Sequence, residues 1–213
     1  MNKTAINKHL DEIPLVAILR GVTPDEVIGI GDALFEAGIR VVEVTMNSPI
    51  DPLKSIERLS SRFQGEMAVG AGTVLSPEEV DQVKESGARF VVSPNTNEEV
   101  IRRTAELGLY SLPGVATCSE GFQAIAAGAD ALKIFPASAV GPAGLRDMTS
   151  VFPKEVGLYA VGGVSASNLD EWLSAGACGA GLGSCLYRAG DSPEECLRKS
   201  RLMVGAYQAT LKE

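Results

Sequence analysis

Short apolar runs recur along the chain, and each is followed by a longer polar or amphipathic segment. An apolar run of about four to eight residues is typical of a strand that is buried on both faces of a parallel sheet. The predicted strands cover residues 15–20, 41–45, 67–73, 90–94, 110–113, 131–135, 157–162 and 179–183. Helices are predicted in the intervals, and an additional helix is predicted over residues 2–12.

Glycine and proline mark the ends of the predicted helices. Glycine best tolerates the left-handed conformation at a helix C-terminus, and it shortly precedes several strands, at Gly38, Gly87, Gly108, Gly128 and Gly176. A capping residue followed by proline predicts helix starts at Thr23-Pro24, Ser76-Pro77 and Ser192-Pro193.

The order of these elements predicts the fold. Alternating strands and helices form a parallel sheet, and eight such units within 213 residues fit a (β/α)8 TIM barrel with an extra N-terminal helix. The alternative is a doubly wound open sheet, which should carry a Gly-x-Gly-x-x-Gly turn after its first strand. This chain has Arg20-Gly21-Val22-Thr23-Pro24 there. Because no linker interrupts the pattern, residues 1–213 are predicted to form a single domain.

The composition, 45% hydrophobic and 22% charged, is ordinary for a globular protein. The formal net charge of −8 argues against nucleic acid or an anionic membrane surface as a partner. An anionic substrate would therefore need local positive groups to attract it. No apolar run is long enough to span a membrane, and the first residues lack the apolar stretch of a signal peptide.

Cysteine and histidine usage narrows the chemistry. The four cysteines form no Cys-x-x-Cys pair and are expected to be reduced thiols of a cytoplasmic protein. The single histidine, His9, falls in the first predicted helix, where a solvated surface position is expected. One histidine cannot build a His-rich metal site, and no cluster of acidic residues in the sequence indicates a magnesium site. We therefore expect chemistry without a metal or another cofactor.

Lys133 interrupts the apolar run Ala131-Leu132-Lys133-Ile134-Phe135, with Phe135 on the same side of the strand. Burial of an ammonium group is costly and lowers its pKa, and a lysine that is partly neutral can attack a carbonyl carbon. Two alternatives stay open. The lysine could pair with a buried carboxylate, or its head group could reach solvent at the strand end.

Other polar residues fall late in the predicted strands, where the active sites of parallel barrels lie. They are Arg20 in the first strand, Glu43 in the second, Thr73 in the third and Pro94 in the fourth. Each has a structural alternative, such as an ion pair between Arg20 and Glu43 or a capping role for the Thr73 hydroxyl. Their convergence with Lys133 in one barrel favours a catalytic site.

Glycines follow the last two strands, in Gly162-Gly163 and Gly183-Ser184. Loops at these positions of (β/α)8 barrels often bind phosphate through backbone N–H groups. Either segment alone is also explained as a tight turn. Together they predict a phosphorylated ligand.

A strand lysine and a nearby carboxylate suit Schiff-base chemistry. Lys133 would attack the ketone of a 2-keto acid, and the resulting iminium would act as an electron sink. Glu43 would transfer protons as a general acid and base, through a water. Arg20 would hold a carboxylate or phosphate and help to lower the pKa of Lys133.

Several ordered motifs resemble those of the class I KDPG/KHG aldolases over about residues 13–207. They are Ile18-Leu19-Arg20-Gly21, Gly70-Ala71-Gly72-Thr73-Val74, Ser93-Pro94-Asn95, Leu132-Lys133-Ile134-Phe135-Pro136 and Val161-Gly162-Gly163-Val164. The resemblance implies a (β/α)8 barrel, usually trimeric, that cleaves 2-keto-3-deoxy-6-phospho sugar acids to pyruvate and glyceraldehyde 3-phosphate.

The resemblance also implies roles for individual residues. Lys133 matches the Schiff-base lysine and Glu43 the acid/base. The residues that match, or are expected beside, the pyruvoyl end of the substrate are Arg20, Thr73, Pro94 and Phe135. The phosphate site is matched by Gly162, Gly163, Gly183 and Ser184.

Two departures point to the phosphogalactonate branch of the family. Where the gluconate enzymes typically carry an arginine, this chain has Asn47, which we expect to contact substrate. Where they typically have threonine, it has Val161, which should face the substrate's C4 hydroxyl, the group whose configuration separates the two substrates. The run Leu186-Tyr187-Arg188-Ala189-Gly190 is similar to the same branch.

Alternative functions stay open from the sequence. The nearest is the gluconate epimer as substrate, or dual KDPG/KHG specificity. A sugar-phosphate isomerase or synthase on the same barrel would use the phosphate loops without a Schiff base. A sugar-phosphate binding protein would not need the nucleophile.

Overall fold

The computed structural model describes residues 3–211, and within this range strands and helices alternate. The strands are β1 (Leu15–Leu19), β2 (Val41–Thr45), β3 (Ala68–Gly72), β4 (Phe90–Val92), β5 (Tyr110–Leu112), β6 (Gly114–Val115), β7 (Ala131–Ile134), β8 (Gly157–Val161) and β9 (Gly179–Leu182). The helices are α1 (Lys3–Glu12), α2 (Val27–Glu36), α3 (Pro52–Phe63), α4 (Pro77–Glu85), α5 (Glu98–Glu106), α6 (Cys118–Ala127), α7 (Ala137–Thr149), α8 (Leu169–Ser174) and α9 (Pro193–Thr210). The predicted N-terminal helix is α1, and its predicted first residue, Asn2, lies outside the described residues.

The strands form one parallel sheet in the order β5-β4-β3-β2-β1-β9-β8-β7-β6. β5 corresponds to the predicted fifth strand, 110–113, but ends before Pro113, because proline has no N–H for the hydrogen-bond ladder. The strand resumes as β6, which lies beyond the predicted bounds. Backbone hydrogen bonds join both β5 and β6 to the β7 segment, from Asp130 N to Ser111 O (3.0 Å) and from Phe135 N to Val115 O (3.0 Å). The predicted (β/α)8 barrel is confirmed, with its fifth strand split in two.

Helix α1 closes the end of the barrel at which the strands begin. Its Ile6 and Leu10 pack in one cluster with inward-facing residues from the starts of the strands, among them Tyr110 and Tyr159. Lys3 of α1 donates to both carboxylate oxygens of Asp130, each at 2.8 Å. A substrate must therefore approach from the opposite end, where the strands finish.

Most predicted helix ends are confirmed, and one helix start is wrong. The five glycines have φ between 67° and 106°, and the hydroxyls of Ser76 and Ser192 cap α4 and α9. Helix α2, however, begins at Val27 instead of Thr23-Pro24. The Glu26 carboxylate accepts a hydrogen bond from Thr23 N at 3.1 Å, which makes residues 23–26 a separate turn.

His9 is half-buried in α1 instead of solvated, and its Nδ1 is buried without a hydrogen-bond partner among the described residues. This position lies at the closed end of the barrel, because α1 covers that end. Within residues 3–211, no helix combines the length and the apolar character needed to cross a bilayer.

Candidate active site

Lys133 lies in β7 inside the barrel and is only 6% exposed. It stands in register with Gly114 of β6 and Tyr159 of β8. Its Nζ is 4.7 Å from the centre of the Phe135 ring, so the two side chains share one side of the strand as predicted. The alternative in which the head group reaches solvent is wrong.

Glu43 lies in β2 and is 2% exposed. Gly72 at the end of β3 leaves the space for its side chain, because a Cβ atom at position 72 would collide with Glu43 Oε1 and lie 2.7 Å from its Cδ. Glycine is therefore required there for the observed position of the carboxyl group. Sequence reasoning missed this role, since a glycine at a strand end is equally typical of a simple turn.

The two buried groups act on each other electrostatically. Burial lowers the pKa of Lys133; Glu43 opposes this effect and Arg20 reinforces it. Burial raises the pKa of Glu43, and Lys133 and Arg20 oppose that effect. The site thus favours a neutral amine beside a carboxyl group that holds its proton more readily than usual, which are properties of a nucleophile and a general acid.

Lys133 and Glu43 line the same small space within the barrel, which we call the inner cavity. Its volume of about 10 Å³ is enough for about one water molecule. The remaining lining is mostly apolar and consists of Val16, Ile18, Val92, Leu112, Tyr159, Val161 and Gly181.

Arg20 follows β1 and is exposed near the open end of the barrel. Its Nη1 donates to Asn47 Oδ1 at 2.8 Å, so two predicted substrate-binding residues lie side by side. In the described part of the chain Arg20 forms no ion pair with Glu43, and its charge acts on that carboxyl group at longer range. The ion-pair alternative is therefore wrong.

Thr73 directly follows Gly72 and has a φ of +59°. This conformation is uncommon for a β-branched residue and concentrates at functional sites. Pro94 follows β4, and its carbonyl oxygen occupies the place that a side chain at Gly114 would need. Neither residue lines the inner cavity, and nor does Asn47 or Phe135, although Phe135 contacts Lys133.

A larger space of about 630 Å³, the outer cleft, opens beyond the ends of β1, β8 and β9. All four predicted phosphate-binding residues line it, together with Arg20 and Val161. Gly162 and Gly163 have φ of 100° and 84°, a conformation that favours glycine. At Gly183, by contrast, an added Cβ would meet no atom within 4 Å, so glycine is not sterically required there.

Asn168 stabilises the loop that follows β8 through two hydrogen bonds. Its Nδ2 donates to Gly163 O at 2.9 Å, and its Oδ1 accepts from Ser165 N at 2.8 Å. The loop therefore has a defined shape, which a backbone-based anion site requires.

Further residues of the outer cleft were not assigned from the sequence. They are Val164, Ser165, Cys185, Tyr187, Arg188 and Ala189. These residues follow the two glycine turns in the sequence. Their position next to the predicted phosphate loops is the signal that could have identified them as cleft residues.

The inner cavity and the outer cleft are continuous, because Ile18, Val161 and Gly181 line both spaces. The amine and carboxyl groups at one end and the glycine loops at the other thus form one site. Among residues 3–211, no three His, Cys, Asp or Glu residues are grouped so that they could hold a metal ion.

Comparison with known proteins agrees with this geometry. A family model described as KDPG and KHG aldolase matches residues 6–196. The 2-dehydro-3-deoxy-6-phosphogalactonate aldolase of Escherichia coli K12 is 44% identical over 201 residues, which are 94% of this chain and 98% of that protein. The solved structure described as native KDPGal has a TM-score of 0.93 at 44% identity, over 95% of this chain and 98% of that chain.

A KDPG aldolase from Legionella pneumophila, solved with pyruvate captured at low pH as a covalent carbinolamine intermediate, has a TM-score of 0.75 at 29% identity. The match covers 91% of this chain and 93% of that chain. The chain therefore belongs to the KDPG and KHG aldolase family.

Proposed function

We propose that this protein is a class I aldolase that cleaves 2-dehydro-3-deoxy-6-phosphogalactonate to pyruvate and D-glyceraldehyde 3-phosphate. The observation that carries the proposal is the continuity of the inner cavity, with Lys133 and Glu43, and the outer cleft, with its glycine loops. A keto acid at one end and a phosphate at the other would place the scissile bond between them. The family and the name of the 44% identical relative support this substrate.

Lys133 would form the covalent intermediate. Its lowered pKa favours the neutral amine, whose lone pair attacks the C2 ketone carbon. The ketone oxygen is protonated and leaves as water, which gives an iminium between Nζ and C2. The pyruvate carbinolamine captured in the Legionella relative supports this step.

Glu43 would transfer the protons. Its raised pKa lets the carboxyl group donate a proton when water leaves, after which the carboxylate accepts the C4 hydroxyl proton through a water molecule. The C3–C4 bond then breaks, its electron pair moves to the iminium, and glyceraldehyde 3-phosphate departs. Protonation of the enamine at C3 and hydrolysis release pyruvate and restore Lys133.

The remaining predicted residues would bind the two ends of the substrate. Arg20, with Asn47 beside it, would bind the substrate carboxylate. The pyruvoyl group would be surrounded by Thr73, Pro94 and Phe135. The phosphate would accept hydrogen bonds from the loops that contain Gly162, Gly163, Gly183 and Ser184.

Val161 supports the galactonate epimer as the substrate. It lies at the end of β8, is 6% exposed, and lines both the inner cavity and the outer cleft. A substrate that spans the two spaces would therefore place its middle carbons against the Val161 methyl groups. The nearest alternative is 2-dehydro-3-deoxy-6-phosphogluconate or dual specificity.

The proposal is tested by measuring pyruvate release from the two C4 epimers with a coupled assay. We expect a higher kcat/KM for the galactonate epimer. A higher value for the gluconate epimer would support the alternative, and no pyruvate from either substrate would reject the aldolase assignment.

Val161→Thr should move the preference toward the gluconate epimer. A new hydroxyl contact with the C4 hydroxyl would change the ratio of the two kcat/KM values by about fivefold to tenfold, the worth of one neutral hydrogen bond. Val164→Thr is the matched control, because Val164 is also 6% exposed and lines the outer cleft. An equal change of the ratio in both variants would remove Val161 from epimer recognition.

We also propose that the chain is a single domain that assembles as a homotrimer in the cytoplasm. Large apolar side chains that are about half exposed, such as Ile50, Leu75 and Phe122, support an assembly. Four unpaired cysteines support a reducing compartment. Light scattering of the purified protein should give three times the chain mass of 22.3 kDa, and a monomer mass would reject the trimer.

A further inference from the structure

The outer cleft provides little formal charge for a phosphate group. Its predicted anion-binding part consists of three glycines and Ser184, which supply neutral donors. A phosphate monoester carries about −1.5 to −2 charges at pH 7, and the protein itself has a formal net charge of −8. A local cation at this part of the cleft would therefore raise the affinity for the phosphate group and the rate at which the anionic substrate approaches.

Two arginines line the outer cleft, Arg20 and Arg188. Arg20 donates to Asn47 and shifts the pKa of both Lys133 and Glu43, which places its charge near the chemical end of the site. Arg188 follows the Gly183-Ser184 turn and is exposed. Its guanidinium has no hydrogen-bond or ion-pair partner within the described residues.

The backbone around Arg188 is nevertheless held in place. Arg188 N donates to Asp191 Oδ2 at 2.8 Å, and the same oxygen accepts from Lys199 Nζ at 2.7 Å. The charge of Asp191 is thus balanced by Lys199, and this carboxylate contacts the Arg188 backbone N–H instead of the guanidinium.

The neighbouring residue fixes the loop from the other side. Tyr187 is 2% exposed, and its hydroxyl donates to Glu26 Oε1 at 2.6 Å. The backbone thus has contacts on both sides, while no residue in the described part of the chain occupies the arginine side chain, which leaves it available to a ligand. Such an arrangement reduces the ordering cost of binding.

We propose that Arg188 is a phosphate-binding residue, which supplies the formal positive charge that the glycine loops lack. This inference rests on the proposed function for the identity of the ligand. Arginine suits the role because its planar guanidinium can donate two parallel hydrogen bonds to phosphate oxygens.

Titration of the full-length protein with inorganic phosphate tests the inference without any turnover. Arg188→Gln should raise the Kd for phosphate about tenfold, as expected for the loss of one charged hydrogen-bonding partner. The Kd of Arg188→Lys should lie between that of Arg188→Gln and that of the parent. Arg146→Gln is the control, since Arg146 is exposed in the last turn of α7, outside the lining of the outer cleft. Equal phosphate affinity in Arg188→Gln and the parent, or no measurable binding to the parent, overturns the inference.

Aldol synthesis from pyruvate gives a second readout. With glyceraldehyde 3-phosphate, Arg188→Gln should raise KM about tenfold with little change in kcat; with unphosphorylated glyceraldehyde, both constants should stay unchanged. An equal loss with both aldehydes overturns a phosphate-specific role. If the parent catalyses neither reaction, the proposed function fails, and the phosphate titration still decides the role of Arg188.

Discussion

Lys133→Met should lower turnover by about 10⁴-fold or more, on the scale seen when other covalent nucleophiles are removed. Methionine has a similar length and suits a position that is 6% exposed, so the barrel should keep its shape. With the amine gone, borohydride and pyruvate should add no mass to the protein. Steady-state kinetics and intact-mass spectrometry provide the two measurements.

A matched control for this substitution is Lys154→Met, because Lys154 is an exposed lysine. This variant should keep turnover and should still be trapped by borohydride. If Lys133→Met retained turnover, or if pyruvate were trapped on another lysine in the parent, Lys133 would not be the nucleophile.

The pH dependence of borohydride trapping with pyruvate reports how far the pKa of the Lys133 amine is lowered. Burial lowers the pKa of Lys133, so the trapping rate should rise with pH and level off below the ordinary lysine pKa of about 10.4. Arg20 reinforces the lowering, so Arg20→Gln should move the curve to higher pH. A parent curve that levels off only near the ordinary value would contradict this environment.

Glu43→Gln should lower kcat by about 10²–10⁴-fold, the usual contribution of a general acid or base. The amide keeps the shape of the carboxyl group in a 2% exposed position but cannot take up and release a proton. The pyruvate adduct on Lys133 should still form to some extent, because the amine remains. Single-turnover kinetics combined with borohydride trapping separate the two steps.

Glu155→Gln serves as the control for Glu43, since Glu155 is an exposed carboxylate. It should leave both steps unchanged. Turnover by Glu43→Gln at the parent rate would remove Glu43 from the mechanism, whereas loss of the adduct as well would show that adduct formation depends wholly on the proton that Glu43 donates when water leaves.

Local patterns predicted the elements well where neighbours in sequence decide the conformation. Ser76 and Ser192 cap their helices because a side chain bonds a backbone N–H three residues away. The same pattern failed at Thr23, where the Glu26 carboxylate accepts from both Thr23 N and the distant Tyr187 hydroxyl. The continuation of the fifth strand as β6 likewise depends on how the barrel closes against β7, because Val115 O accepts from Phe135 N.

The sequence predicted the burial of Lys133 and Glu43 better than the contacts of the residues around them. A lysine in an apolar strand predicts a buried amine. Side chains alternate between the two faces of a strand, so such a lysine can face the interior of the barrel. The sequence did not indicate that Arg20 contacts Asn47 instead of Glu43, or that Gly72 makes room for the Glu43 side chain. Those contacts join different strands and loops, so their geometry depends on register and loop shape.

By itself the sequence determined the alternation of strands and helices, the barrel, and the presence of a buried lysine and a buried carboxylate, because these follow from burial patterns and capping within a few residues. Only the tertiary structure decided that the inner cavity and the outer cleft share Ile18, Val161 and Gly181. It also decided that Tyr187 bonds Glu26 across 161 residues of chain, while the Arg188 side chain pairs with no residue between 3 and 211. Barrel closure brings these residues together, and contacts between residues so far apart in sequence leave no periodic signal along the chain.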